Sequence, residues 1–287
     1  LKPEEIQAEM DAIMDEMAAE VIENIFRDAD LVVAKIDRIR RQVNGLLSEY
    51  SKQDGTISKS RINTLLQELD EIEFEIDSEL TSELERLATK ATEQAEKNLS
   101  EALVGLLGVA VAFGGTSLLP NVSSIIREVL DGMFNRDING NDISEIIESV
   151  AGLVRDNIQR AIRYGVYREM TIGQISRRVK EEFDRTSFQI KRIITTEIPI
   201  AFRRAVAIIG SKTRIIKAVK IVDLPGRMSH PSTHHHHECF RLAEQDMYGW
   251  GKGVYRPQDT FIYDPHPQCT AYFRYIFDKE ALNNADG

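Results

Sequence analysis

Between Ile62 and Ala95 an apolar residue recurs every three or four positions: Ile62, Leu65, Leu69, Ile72, Ile76, Leu80, Leu84, Leu87, Ala91 and Ala95. That period gathers the apolar side chains on one stripe of a long helix, and a sheet, whose period is two, cannot use it. Ile72, Phe74 and Ile76 alternate locally like a strand, but the flanking periodicity outweighs them. The stripe is narrow, which predicts a helical hairpin or a coiled-coil contact with another chain. The same period runs from Ile6 through Met10, Ile13, Met14, Met17 and Val21 to Ile25, behind Pro3, a proline suited to a first helical turn. A second helix is expected over Ile36, Ile39, Val43, Leu46 and Leu47. Asp54-Gly55 then punctuates the chain, and Ser58 or Ser60 caps the long third helix.

Eight prolines in 287 residues extend this helical reading to most of the chain. The period resumes from Asp142 through Ile146, Val150, Leu153, Ile158, Ile162 and Val166. A joint at Met170-Thr171-Ile172-Gly173 leads to a short helix over Ile175, Val179 and Phe183. Asp184-Arg185-Thr186-Ser187 reads as a turn and cap. A further helix passes Ile190, Ile193, Ile194, Pro199, Phe202, Val206 and Ile209 to a stop at Gly210. Beyond Gly210 the pattern changes. Ile215–Val222 has the β-branched content of a strand, Gly253-Val254-Tyr255 and Thr260–Tyr263 read as short strands, and Ala271–Phe277 as a last one. The expected fold class is mainly α, a long helical N-terminal region and helical core followed by a small β-rich (α+β) C-terminal unit. Three regions follow: an acidic helical scaffold over 1–150, a basic helical core over 151–212, and the β-rich unit over 213–287. A unit as small as the last has a limited core and gains most from a staple.

Two stretches in the first region invite other readings. Ala102–Ile126 carries no charge, and its apolar part reaches about 18 residues, the lower end for a membrane span. Gly105, Gly108, Gly114, Gly115 and Pro120 interrupt it and no basic flank anchors it, so a buried hairpin or an oligomer contact is the better reading. Asn135–Asp142 resembles a calcium loop until position 12 is reached, where Ile146 stands in place of the bidentate carboxylate. An Asn/Gly-rich turn capping the next helix accounts for the residues at less cost.

The net charge of −10 hides a segregation: residues 1–150 carry −17, 151–220 carry +10 and 221–287 carry −3. One acidic and one basic surface with different partners would produce this pattern. The basic block is rich in Arg, whose planar fork suits carboxylate and phosphate. Arg177, Arg178, Lys180, Arg192, Arg203, Arg204, Lys212 and Arg214 are its candidate contacts to DNA or to an acidic partner. Few aromatics interleave with them, so stacking on single strands is not indicated.

The chemistry concentrates near the C-terminus. Both cysteines and five of the six histidines fall in His234–Cys239 and His266–Cys269. Read as two His-x-x-Cys pairs, His236, Cys239, His266 and Cys269 supply four nitrogen and sulfur ligands, the set of a closed, structural zinc site. His234, His235 and His237 are alternative donors. Ordinary buried thiols beside a solvated histidine loop fit the same residues, as does a Cys239–Cys269 disulfide, although two cysteines make no disulfide framework and a reducing compartment is expected. A catalytic centre with Glu238 as base is the enzymatic alternative. No Gly-rich phosphate loop, nucleophile elbow or helical His-Glu-x-x-His accompanies it. Residue 1 is Leu, which leaves room for residues upstream, and the first residues lack the basic-then-apolar pattern of a signal peptide.

Taken in order, Thr171-Ile172-Gly173, Ile193–Ala205 with Thr196-Glu197, the strand Val219–Val222 with Asp223, His236-x-x-Cys239, Gly253-Val254-Tyr255 and His266-Pro267-Gln268-Cys269 resemble the phage head morphogenesis family, the Mu protein F-like minor head proteins. The resemblance covers roughly residues 150–277. Thr195 stands where the family has Arg, Pro199 interrupts the following helix, and Ala271 takes the place of a frequent second terminal Cys. The resemblance implies a non-enzymatic structural protein of the capsid interior near the portal, present in the host cytoplasm during assembly. It would bind the portal protein and, further, double-stranded DNA, scaffold or major capsid protein, and act in head assembly, packaging or DNA ejection. The acidic N-terminal helices would dock on the portal or self-associate. A metal-dependent nuclease and a membrane-active ejection protein centred on Ala102–Leu119 are the competing readings.

Overall fold

The computed structural model describes residues 2–107, 121–136, 142–222 and 237–285. Of the described residues 75% are helical, and they include one small three-stranded antiparallel sheet near the C-terminus, the fold class expected. The helices are α1 (Pro3–Glu49), α2 (Ile62–Glu68), α3 (Glu71–Leu107), α4 (Val122–Phe134), α5 (Ile143–Tyr167), α6 (Ile172–Lys212), α7 (Glu238–Glu244) and α8 (Lys279–Ala285). The strands are β1 (Ile216–Val222), β2 (Val254–Tyr255) and β3 (Tyr272–Phe277). Two compact units interleave along the sequence: residues 1–25, 86–133 and 195–287 form one, 26–85 and 134–194 the other. The boundary expected after residue 150 falls within α5, and the one after 212 at the end of α6.

Four elements differ from the sequence reading, each for a local reason. The two helices expected before residue 50 are one, because Ala29 and Val32, both buried, carry the stripe from Ile25 to Ile36 without a lapse. The long third helix is instead divided at Leu69-Asp70, where Gln159 of α5 donates to the Leu66 carbonyl and to the Asp70 carboxylate. No turn forms at 184–187: the Thr186 and Ser187 hydroxyls donate back to the carbonyls of Glu182 and Phe183, each at 2.9 Å, so both residues sit inside α6 instead of capping a new helix. Thr260–Ile262 is a turn of 3₁₀-helix and not a strand.

In the 26–85/134–194 unit, Lys35 on α1 pairs with Glu79 and with the buried Glu83 on α3. Gly55, with φ of 76°, turns the chain after α1, and its carbonyl accepts from the Ile172 amide at the start of α6. Asp142 caps α5 in a reciprocal box with Glu145, as expected of a capping turn. The rest of the calcium-like loop, 137–141, lies outside the described residues.

In the other unit β1 is central, antiparallel to β2 on one side and to β3 on the other, with Val219 opposite both Tyr255 and Tyr275. The outer edge of β3 has no strand beside it, and α1 covers it and supplies partners for its backbone groups. Gln7 donates to the Tyr275 carbonyl and accepts from the Phe277 amide, while Asp15 accepts from Arg274 and from the Tyr272 hydroxyl. Among the described residues no helix is long and apolar enough to cross a membrane; residues 108–120 of the apolar run lie outside them.

Candidate metal centre

The site lies in the unit that holds the sheet. His237 is the N-cap of α7, in extended backbone (φ −77°, ψ 142°), and Cys239 follows in the first turn. His266 and Cys269 come from the turn that leads into β3. Donor atoms of His237, Cys239 and His266 all lie within 4.8 Å of one another, and Cys239 Sγ is 3.0 Å from His266 Nε2. Bonds of about 2.0–2.3 Å to a tetrahedral ion put ligand atoms roughly 3.3–3.8 Å apart. The observed spacings bracket that range, so the three donors can hold a metal ion. His236, the ligand that the spacing selects, lies outside the described residues, as do His234, His235 and Asp223.

His266 Nδ1 is 2.8 Å from the Pro267 carbonyl, which can only accept, so Nδ1 carries a proton and Nε2 is the nitrogen that faces the sulfur. Cys269 is fully buried next to Cys239. The bond from Cys239 holds its thiol well below the usual range, helped by the Arg203 charge and the His266 ring and opposed by burial. Burial lowers the pKa of His266, but the bond to Cys269, that thiolate's charge and the Pro267 carbonyl together leave it raised. Two thiolates and two neutral imidazoles would neutralise a divalent ion and tolerate burial. Glu238, the base of the enzymatic alternative, is bonded through both oxygens to Arg241, which holds it below the usual carboxylate range and makes it a poor proton acceptor.

The scaffold of the site is α6. Arg203, 1% exposed, donates to the carbonyls of Tyr263, Cys269 and Ala271, on both sides of the His-Pro-Gln-Cys turn. A side chain so enclosed has no face for DNA or a partner, so the sequence-based assignment of Arg203 as a contact residue is corrected: it holds the turn. Gln268, at φ 57°, accepts that conformation through two bonds to α6, from its amide to Thr196 Oγ1 and from Nε2 to Thr195 Oγ1, both 3.2 Å. Glu197 is buried one position on.

The remaining basic candidates are dispersed. Arg177, Arg178, Lys180 and Arg192 are exposed on the first part of α6, with Arg178 over the Tyr164 ring and Lys180 paired with Asp184. Lys212 pairs with Glu128, Arg204 lies over the Tyr263 ring and Arg214 is exposed. His237 is among the alternative donors read from the sequence, whereas Arg203 and Gln268, the residues that fix the turn, were missed; only their proximity to the cysteines and to Thr196 could have signalled them. No protein-family model, no curated protein and no solved structure matches this chain.

Proposed function

We propose that this chain is a non-enzymatic minor head protein of a tailed phage, acting in the capsid interior beside the portal, with a structural zinc ion joining the start of α7 to the His266–Cys269 turn of its β unit. The observation that carries the reading is a convergence. Residues that bear the family resemblance but lie some seventy positions apart, Thr196 on α6 and the His266–Cys269 turn, are bonded to each other. His237, Cys239, His266 and Cys269 are the proposed ligands. Four protein ligands leave no open position for water, so the ion would hold structure and perform no hydrolysis. The portal protein is the proposed partner, with double-stranded DNA and capsid components as further ones, and the exposed cations of α6 are the surface offered to them. Co-expression with the portal protein of the same viral genome should give a complex that co-elutes on size exclusion. A chain that ignores the portal and cleaves DNA with added metal would overturn the proposal.

A further inference from the structure

Trp250 is the chain's single tryptophan, and it is 41% exposed on the loop between α7 and β2. Gly249, Gly251 and Gly253 shape that loop, with φ of 69°, 110° and 73°. A side chain at such angles is strained, and at Gly253 a Cβ would also meet the Ala243 carbonyl oxygen at 2.9 Å. The loop is closed by Gly253 N to Gln245 O and tied to the sheet by Ile221 N to Gly253 O, both 2.8 Å. The Trp250 ring rests on Tyr248 at 5.0 Å, with Lys217 Nζ 5.7 Å from its centroid and Arg256 4.8 Å over Tyr248. Met247 alongside is 47% exposed. A firmly held loop thus presents an aromatic ring flanked by cations to solvent, the composition of an interface anchor.

A groove of opposite character lies between α1 and the α2–α3 junction. It is open, about 490 Å³ in volume, with Leu46 and Ile72 as apolar lining, Glu49, Glu68, Glu71 and Glu75 around them, and no Lys or Arg in its wall. Tyr50 donates to Glu68, and Arg61 lies over the Tyr50 ring as the nearby cation. Gly45 lies in the wall of the groove, inside a 47-residue helix where glycine costs about 1 kcal/mol relative to alanine. No packing demands it: nothing lies within 4 Å of where its Cβ would be.

We propose that these are the two halves of one contact between copies of this chain: the Trp250 loop of one copy seats in the glutamate-rimmed groove of another. The ring would cover Leu46, Ile72 and the bare backbone at Gly45, and Lys217 and Arg256 would meet the glutamates. Nucleic acid is the weaker occupant of the Trp250 loop, because duplex binding uses about six to ten phosphate contacts, and here two cations stand beside the rings on a chain of net charge −10. A contact that joins two different surfaces is head-to-tail and grows chains or rings. One aromatic anchor buries about 150–250 Å², far less than the roughly 1,200–2,000 Å² of a stable interface, so the association is weak and depends on concentration. The inference is independent of the head-protein reading.

Two variants separate the halves. Trp250→Ala removes the anchor, leaves the groove and is dark in tryptophan fluorescence; Gly45→Leu fills the groove, keeps Trp250 and favours the helix. In sedimentation velocity between about 10 and 300 µM, a span suited to a weak contact, the wild type should grow in mass with concentration and each variant alone should remain monomeric. Their equimolar mixture should form a 1:1 dimer and nothing larger, with a blue shift of Trp250 emission, and added salt should weaken it. Should Trp250→Ala lose its fold by circular dichroism, Lys217→Glu replaces it, with Glu71→Lys in the other copy restoring the contact. A wild type monomeric throughout, or Gly45→Leu associating like the wild type, overturns the proposal. Trp250 quenching by an oligothymidylate, equal in wild type and Gly45→Leu, overturns it too and assigns the loop to single-stranded nucleic acid.

Discussion

Replacing Arg203 by methionine tests what holds the candidate metal centre in place. The guanidinium is 1% exposed and donates to Cys269 O at 3.0 Å, to Ala271 O at 2.9 Å and to Tyr263 O. Methionine keeps most of the volume and none of the donors. Each carbonyl left buried without a partner costs about 1–3 kcal/mol, and removing a buried charge returns several kcal/mol of desolvation. The balance is a loss of about 3 kcal/mol, a large share of the roughly 5–15 kcal/mol typical of a domain. Urea unfolding at pH 7 with chelator present should show it as a lower midpoint. Thiol reactivity should show where it acts, since both cysteines are buried in the native protein: in Arg203→Met they should react with a thiol reagent at low urea, well before global unfolding. Arg203→Lys keeps the charge, but one ammonium cannot match a planar fork across three acceptors, so it should recover less than half of the loss. Stability within about 0.5 kcal/mol of wild type, with both thiols still protected, would refute the reasoning.

Purified reduced protein should contain one zinc per chain by elemental analysis; Cys269→Ser and His237→Ala should each lower the content at least tenfold and His236→Ala should not, the order reversing if the spacing had selected the right histidine. Tyr263 and Tyr272 are each pushed up to about 12, by burial first and, for Tyr272, also by Asp15. The folded state therefore keeps protons that the unfolded chain releases near pH 10, so this stability is complete below pH 10 and declines toward pH 12, by up to about 1.4 kcal/mol per pH unit for each tyrosine. Alkaline unfolding followed by circular dichroism should show that decline, and Tyr263→Phe should flatten it. Lys35→Met removes the ammonium that pairs with the buried Glu83; a loss of about 2 kcal/mol is expected in urea unfolding at pH 7, and stability within about 0.5 kcal/mol of wild type would contradict it.

How much of this could be read from the sequence depended on the kind of signal. Stripes with a helical period located the helices, because burial of one face is a property of each segment alone: Ile72, Ile76, Leu80, Leu84 and Leu87 are all buried as the repeat requires. Breaks were less legible. The hydroxyls of Thr186 and Ser187 can cap a helix or bond back within one, and only the tertiary setting selects between them. The strands Ile216–Val222 and Tyr272–Phe277 were anticipated because β-branched and aromatic residues suit a pleated, buried surface. Arg203 was read as a surface cation because neither its neighbours nor its helical position reveals that three carbonyls from residues 263–271 will close around it.

The placing of His237, next to His236 which lies outside the described residues, shows the limit most clearly. A His-x-x-Cys spacing assumes a turn that folds back so that ligands three apart face one ion. Here α7 begins directly after His237, whose extended backbone meets a first helical turn that carries Cys239. Donors two apart, His237 and Cys239, then converge because the conformation changes between them, which a spacing rule drawn from a uniform turn does not anticipate. The other half of the site is fixed differently. The positive-φ turn at Gln268 is held by Thr195, Thr196 and Arg203, all on α6, so His266 and Cys269 are placed by a helix that contributes no ligand. An ion bound by both halves would join the start of α7 to a turn already fastened to α6. That is the physical basis for a clasp. It also explains why removing Arg203 should disturb the cysteines more than removing either histidine disturbs the helix.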